Sequence, residues 1–176
     1  MILSHARIAS GEIVVHAWSS PHGIAALHLG EVPPVAAQPG SRPVPGVEIE
    51  AADETLSTLA RALAEYLEGR PLQWEGALDV RGLPAFSLQV YECTREIPWG
   101  KLATYGEIAR RIGKPRAVRA VGTALHRNPF PIVVPCHRVI QEGGKLGGFA
   151  CGIAMKKRLL ALESGQRTLP FGEMGG

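Results

Sequence analysis

A short helix, a glycine turn and a second helix in the C-terminal half constrain the fold of this 176-residue chain more than any other feature. Thr104 followed three residues later by Glu107 is a capping-box pattern that predicts the start of the first helix, and Gly113 can end it. Pro115 predicts the start of a second helix, which we expect to reach about Arg127. Two helices joined by so short a turn are typical of a helix-turn-helix.

The second predicted helix has a cationic face and an apolar face. A cationic helix face is either a solvated surface or a surface that lies on DNA, and this segment alone leaves both interpretations open. On a helical wheel the cationic face spans an arc of roughly 100° and contains Arg116, Arg119, Thr123, His126 and Arg127.

A cysteine and a histidine, Cys136 and His137, occur within the segment from Ile132 to Ile140, directly after a short β-branched apolar run. The run predicts a buried strand, and the end of a rigid element is a good position for reactive side chains. Taken alone, the pair is more simply interpreted as a buried small thiol beside an incidental histidine. The glycine-rich segment 147–152 follows, and its small side chains allow the backbone to approach a ligand closely.

A last helix is expected from Ile153 to about Glu163, with Lys156 and its two basic neighbours exposed to solvent. We expect it to pack in the core through Ile153, Leu159, Leu160 and Leu162. Glu163 falls near the C-terminal end of this helix, where the helix dipole disfavours a carboxylate. A specific partner for the carboxylate would explain this placement.

The N-terminal part predicts a small unit of its own. Apolar runs at Ile13–Trp18 and Ile24–Leu29 flank a turn-rich spacer, which indicates a hairpin, and Ala51–Leu67 has leucines at helical spacing. One more strand is expected at Ala77–Val80, and the proline- and glycine-rich stretch Glu31–Gly46 predicts an extended loop.

We therefore expect an α+β fold with two domains. Residues 1–80 would form a small α/β structural domain with an antiparallel sheet, and residues 81–176 a mostly helical, winged-helix-like domain that contains the helix-turn-helix.

Charge is distributed unevenly along the chain. Residues 1–70 carry 4 Lys and Arg against 8 Asp and Glu, whereas residues 71–176 carry 15 against 8. This asymmetry favours a polyanionic partner such as nucleic acid for the C-terminal half, although a solvated basic surface explains the charge equally well. The apolar runs are short and no signal pattern occurs, so we expect a cytoplasmic protein without a membrane span. The cysteines Cys93, Cys136 and Cys151 form no Cys-x-x-Cys pair, which predicts free thiols and no zinc site.

Several motifs occur in a fixed order between Phe86 and Glu163. They are Thr-Tyr-Gly-Glu-Ile-Ala, Ala-Val-Arg-Ala-Val-Gly, Asn-Pro, Pro-Cys-His-Arg-Val, a glycine-rich loop and Leu-Leu-Ala-Leu-Glu. In this order and spacing the chain resembles the O6-alkylguanine-DNA alkyltransferases, also called methylated-DNA-protein-cysteine methyltransferases. The resemblance implies direct-reversal repair of double-stranded DNA, with O6-methylguanine as the main substrate and O4-methylthymine as a further one. It implies a monomer that needs no protein partner, no metal and no cofactor.

The resemblance also implies the chemistry of the site. Cys136 would be the nucleophile and alkyl acceptor, and His137 would activate it through a water molecule while Glu163 orients the histidine. Asn128 would hold the turn around the nucleophile by hydrogen bonding. The product would be a thioether, from which a thiolate leaves poorly, so each molecule would act once.

An O6 atom inside a duplex is out of reach of a protein thiol, so the nucleotide must be flipped out of the stack. By resemblance, Arg119 would fill the vacated position, and Tyr105 would help to rotate the nucleotide and deliver a proton to the leaving guanine. The other expected DNA contacts are Arg116, Ala120, Gly122, Thr123 and Arg127. The expected substrate pocket comprises Pro135, Arg138, Val139, Phe149, Ala150 and Cys151.

Two residues depart from the family pattern. Phe149 stands where tyrosine is usual and Cys151 where glycine is usual, and a side chain at position 151 would narrow the pocket. We therefore expect repair of methyl adducts with poor reactivity toward benzylguanine.

Two other functional classes remain open at this stage. A non-catalytic lesion sensor or transcription factor would use the same helix-turn-helix, but sensor relatives replace the cysteine that Cys136 supplies here. A cysteine hydrolase is disfavoured, since no triad pattern accompanies Cys136 and adjacent residues rarely form a direct Cys-His pair.

Overall fold

The computed structural model describes residues 4–31 and 53–165. Within them the chain forms a three-stranded antiparallel sheet, a two-stranded parallel ladder and five α-helices, which confirms the predicted α+β class. None of the described helices has the length and apolar character needed to cross a membrane. The elements are β1 (Ser4–Ser10), β2 (Ile13–Ser20), β3 (Gly23–Leu29), α1 (Glu54–Leu67), α2 (Ala85–Arg95), β4 (Ala103–Thr104), α3 (Tyr105–Arg111), α4 (Val118–His126), β5 (Val139–Ile140) and α5 (Ile153–Ser164).

The N-terminal sheet has the order β1-β2-β3, and α1 packs against it. The predicted hairpin is confirmed as β2 and β3, whereas β1 was not predicted because Ser4–Ser10 lacks a clear apolar alternation. Asp53 caps α1 by accepting a hydrogen bond from Leu56 N at 2.7 Å. The buried stripe of α1 includes Leu59 and Leu63 and ends with Tyr66 and Leu67.

The strand predicted at Ala77–Val80 is wrong. In the structure only Leu78 forms an isolated bridge, to Ile24, because the chain exchanges just two backbone hydrogen bonds with β3 there. The predicted loop Glu31–Gly46 lies outside the described residues from residue 32 onward.

The capping box of the helix-turn-helix is confirmed. Glu107 N donates to Thr104 Oγ1 at 3.1 Å, and Thr104 N donates to Glu107 Oε2 at 2.6 Å. Gly113 follows α3 with a φ of 71°, a conformation that favours glycine. The start of the second helix at Pro115 is wrong: a turn closed by Ala117 N on Lys114 O at 2.8 Å delays α4 until Val118.

The strand predicted before the Cys-His pair is also wrong. Pro131 and Pro135 have no N–H donor for a sheet, and Ile132 adopts a φ of 73°, which is strained for a β-branched residue. The segment instead makes a tight turn closed by Val134 N on Phe130 O at 2.8 Å. One 3₁₀ turn, Cys136–Arg138, follows the turn and leads into β5, which pairs in parallel with β4. The nucleophile candidate is therefore held in a turn.

The predicted packing of α5 is wrong at two positions. Lys156, expected on the surface, is completely buried, and Ile153, expected in the core, is 41% exposed. The ammonium group of Lys156 is accommodated because Nζ donates to Val139 O at 2.6 Å and to Leu146 O at 2.5 Å. It thereby ties α5 to β5 and to the start of the glycine-rich loop.

Candidate active site

Cys136 lies at a cavity of about 340 Å³ formed by α3, α4 and the glycine-rich loop. Only 7% of the cysteine is exposed, so the cavity is the route by which a reactant reaches the thiol. The residues that line it are Tyr105, Val118, Arg119, Gly122, Leu125, His126, Cys136, Gln141, Gly148, Phe149 and Ala150.

Asn128 holds the turn that carries Cys136, the arrangement that the family resemblance implied. Its Nδ2 donates to Val134 O at 3.0 Å and to Cys136 Sγ at 3.2 Å, and its Oδ1 accepts from Phe130 N at 2.9 Å. Three contacts from one side chain fix both ends of the turn and the position of the sulfur atom.

His137 forms a buried pair with Glu163. Its Nε2 lies 2.7 Å from Glu163 Oε1, so the hydrogen atom belongs on Nε2 and the lone pair on Nδ1. Nδ1 is buried and has no hydrogen-bond partner among the described residues, which leaves it available to accept a proton. Burial lowers the pKa of His137, and Glu163 acts against this by favouring the charged imidazolium.

Glu163 is itself held by several donors. Arg138 makes two contacts with the carboxylate, Nε to Oε2 at 2.8 Å and Nη2 to Oε1 at 2.9 Å, and Gly100 N lies 3.3 Å from Oε2. Burial opposes ionisation, but the hydrogen bonds from His137 and Arg138 outweigh it and lower the pKa of Glu163 to about 2. These donors explain how a carboxylate is stable near the C-terminal end of α5.

Burial raises the pKa of the Cys136 thiol to about 11, and the hydrogen bond from Asn128 offsets only part of this effect. The resting sulfur is therefore a thiol, and a neighbouring base must remove its proton before it can attack. His137 is the next residue along the chain, and its buried Nδ1 is a candidate for that base.

Two of the six predicted pocket residues line the cavity. Phe149 and Ala150 line the cavity, whereas Pro135, Val139 and Cys151 are not among its lining residues. Val139 is completely buried, and the Cys151 thiol faces the backbone of Leu29.

Arg138, also predicted in the pocket, instead binds Glu163 and donates through Nη1 to Ile97 O at 2.6 Å. The sequence offered no signal for this arrangement, since the residues involved are far apart along the chain.

Tyr105 also lines the cavity, and its hydroxyl donates to Gly148 O at 3.4 Å. A Cβ atom at Gly122 would lie 3.9 Å from the tyrosine ring, an ordinary van der Waals contact, so Gly122 faces Tyr105 across the cavity lining. Arg119 is exposed at the cavity mouth, and Thr123 Oγ1 donates to its carbonyl oxygen at 3.1 Å. Exposed side chains on or beside α4 include Arg116, Ala120 and Arg127.

The fold and this site define a protein with a helix-turn-helix whose second helix borders a cavity lined by a cysteine, next to a buried His-Glu pair. Residues 85–165 match the family model of the 6-O-methylguanine DNA methyltransferase DNA-binding domain. A methylated-DNA-protein-cysteine methyltransferase of Methanosarcina acetivorans is 45% identical over 111 residues, which cover 63% of this chain and 70% of the relative. The inducible enzyme of the same name from Bacillus subtilis is 42% identical over 68% of this chain and 66% of its own length.

Solved structures extend the similarity to nearly the whole chain. The crystal structure of Mycobacterium tuberculosis OGT in complex with DNA has a TM-score of 0.73 and 33% identity, covering 92% of this chain and 93% of that one. The O6-methylguanine-DNA methyltransferase of Pyrococcus kodakaraensis has a TM-score of 0.63, with 26% identity over 92% of this chain and 99% of its own. The chain therefore belongs to the family of O6-alkylguanine-DNA alkyltransferases, the methylated-DNA-protein-cysteine methyltransferases.

Proposed function

We propose that the protein repairs O6-alkylguanine in double-stranded DNA by transferring the alkyl group to Cys136. The supporting observation is the juxtaposition of a cavity containing this thiol with the exposed Arg119 of α4 at its mouth. O6-methylguanine is the main substrate and O4-methylthymine a further one, since both present a methyl group on an exocyclic oxygen.

The reaction begins with a proton transfer from the Cys136 thiol through a water molecule to His137 Nδ1. Glu163 stabilises the resulting imidazolium across the 2.7 Å contact at Nε2. The thiolate then attacks the alkyl carbon, a carbon-sulfur bond forms, and the bond from carbon to O6 breaks.

Tyr105 supplies the proton that neutralises the leaving guanine. Burial raises the pKa of Tyr105, so its hydroxyl stays protonated and available as a donor at neutral pH. The tyrosine is then reprotonated from solvent, because it borders a cavity that opens to the surface, and the imidazolium of His137 releases the former thiol proton to solvent.

Base flipping brings the damaged nucleotide to the cavity. Arg119 occupies the vacated position in the stack, while Arg116, Thr123, Arg127 and Ala120 approach the backbone of the duplex. Phosphate contacts of this kind are independent of sequence, as a search for rare lesions requires.

The alkyl group stays on the protein. A thiolate is a poor leaving group from saturated carbon, so the thioether on Cys136 is stable and each molecule acts once. We further propose that residues 1–80 and 81–176 are separate domains and that the protein acts in the cytoplasm, where chromosomal DNA is accessible in a prokaryotic cell.

Intact-mass measurement after incubation with a duplex containing O6-methylguanine tests the proposal. The protein should gain one methyl group, mapped to Cys136 by peptide analysis, and Cys136→Ser should gain none while still binding the duplex. Binding of DNA by the unaltered protein without any mass increase would refute alkyl transfer and favour a lesion sensor.

A further inference from the structure

Tyr66 connects the N-terminal sheet-and-helix unit to the buried pair of Glu163 and His137. It lies near the end of α1, is completely buried, and packs edge-on against Trp99 at a ring-centroid distance of 5.4 Å. Its hydroxyl donates to Glu163 Oε1 at 2.9 Å and lies 3.3 Å from His137 Nε2. We propose that Tyr66 is a positioning residue for the alkyl transfer proposed above, acting through Glu163 and His137 on the Cys136 thiol.

The orientation of the hydroxyl group explains how it would act. Its hydrogen atom points to the carboxylate of Glu163, and its oxygen is left to face the N–H group at His137 Nε2. In this orientation the hydroxyl dipole stabilises a negative charge on one side and a positive charge on the other. Both charges are present once His137 has taken the proton of the thiol, and a buried site strengthens their interaction with the dipole.

Tyr66 remains a neutral donor throughout. Burial raises its pKa well above the usual value, and the neighbouring Glu163 carboxylate raises it further. The charged groups that face His137 are the Glu163 carboxylate, the Arg138 guanidinium and the Lys156 ammonium, and the last two disfavour the imidazolium. The Tyr66 hydroxyl therefore adds to the stabilisation of the His137 imidazolium by the Glu163 carboxylate without adding charge to the site.

The position of Tyr66 in α1 gives the N-terminal unit a part in the chemistry. It continues the buried stripe of Leu59 and Leu63 that packs on the sheet, but its hydroxyl lies 97 residues along the chain from its acceptor on α5. The alignment of the Glu163 carboxylate with the His137 imidazole therefore depends on the position of α1. Through this contact, residues 1–80 would position groups of the active site in addition to their predicted structural role.

The test compares the wild-type protein with Tyr66→Phe, which removes the hydroxyl and keeps the ring. Thr94→Val is a matched control, because Thr94 is also completely buried and its hydroxyl bonds only a backbone carbonyl, Val90 O, at 2.6 Å. Each protein is measured for methyl transfer from a duplex with O6-methylguanine in a single turnover, across a pH series. Reaction of Cys136 with iodoacetamide, followed by peptide mapping, reports the thiol without DNA, and duplex affinity and thermal unfolding are measured in parallel.

Tyr66→Phe should react about tenfold more slowly at neutral pH in both assays, the loss expected for one hydrogen bond to a charged group. Its rate should rise at a higher pH than that of the wild-type protein, because the less stabilised imidazolium lets the thiol keep its proton longer. Duplex affinity should be unchanged, and Thr94→Val should show the wild-type rate and pH profile.

A wild-type rate and pH profile for Tyr66→Phe would overturn the proposal, as would an equal slowing by Thr94→Val, which would assign the loss to destabilisation. Failure of the wild-type protein to accept a methyl group would instead refute the proposed repair activity. The iodoacetamide comparison would still test Tyr66 in that case.

Discussion

Replacing Glu163 by glutamine should reveal how much stability the buried carboxylate provides. The carboxylate accepts hydrogen bonds from Tyr66, His137 and Arg138, and only 5% of the residue is exposed. A glutamine of the same shape presents an NH₂ group to some of these donors and leaves the guanidinium of Arg138 without its counter-charge. Breaking a buried pair in this way costs about 3–5 kcal/mol.

The pKa of Glu163 gives a second estimate of the same quantity. The pKa falls from the ordinary 4.5 to about 2 in the folded protein. At about 1.4 kcal/mol for each pKa unit, this corresponds to about 3 kcal/mol of stability at neutral pH. Because the folded-state pKa is lower than the unfolded one, this contribution is complete above about pH 4.5 and is lost as the pH falls toward about 2.

Urea denaturation, followed by tryptophan fluorescence at a series of pH values, measures both effects. Glu163→Gln should unfold with a free energy about 3 kcal/mol lower than the wild-type protein at neutral pH, and the difference should shrink in acid. Glu92→Gln, at an exposed position of α2, is the matched control and should match the wild-type curve. A loss below about 1 kcal/mol, or a difference that does not change with pH, would refute the assignment of Glu163 as an ionised, charge-paired group.

Three more substitutions test other parts of the site. Asn128→Ala removes hydrogen bonds to the turn and to the sulfur, so the free energy of unfolding measured in urea should drop by about 2–3 kcal/mol, and single-turnover methyl transfer should slow. Unchanged stability would contradict the role of Asn128 in the turn. Arg119→Ala should slow repair in duplex DNA far more than reaction with the free methylated base. The control Arg95→Ala removes an exposed charge on α2 and should slow neither reaction. Equal losses on both substrates for Arg119→Ala would argue against insertion of Arg119. Lys156→Met removes hydrogen bonds to two carbonyl oxygens and should lower the thermal unfolding midpoint. Lys157→Met, at the exposed neighbouring position, should leave the midpoint unchanged. Identical midpoints for the two variants would mean that the buried ammonium makes no net contribution to stability.

Local signals predicted the elements whose stabilising contacts lie within a few residues. The capping box of α3 could be predicted because Thr104 and Glu107 satisfy each other's backbone within one turn of helix. The hairpin of β2 and β3 was equally local, since its strands are separated by a short turn. The boundaries that failed are equally local, but they are set by backbone hydrogen bonds, Ala117 N to Lys114 O before α4 and Val134 N to Phe130 O around Ile132, for which the side-chain pattern gives no signal.

The order of motifs along the chain by itself determined the family and the nature of the partner, because these depend on residue types at fixed spacing, and it predicted Cys136 as the nucleophile. Only the tertiary structure decided which polar side chains are buried near Cys136. It buried Lys156, moved Arg138 from the expected pocket to the carboxylate of Glu163, and brought Tyr66 to the same carboxylate. Each of these contacts joins segments that are distant in sequence, and a polar group can be buried only where such partners satisfy its hydrogen bonds. The periodicity and spacing of residues along the sequence do not indicate which distant residues become hydrogen-bond partners. The partners can therefore be identified only in the folded structure.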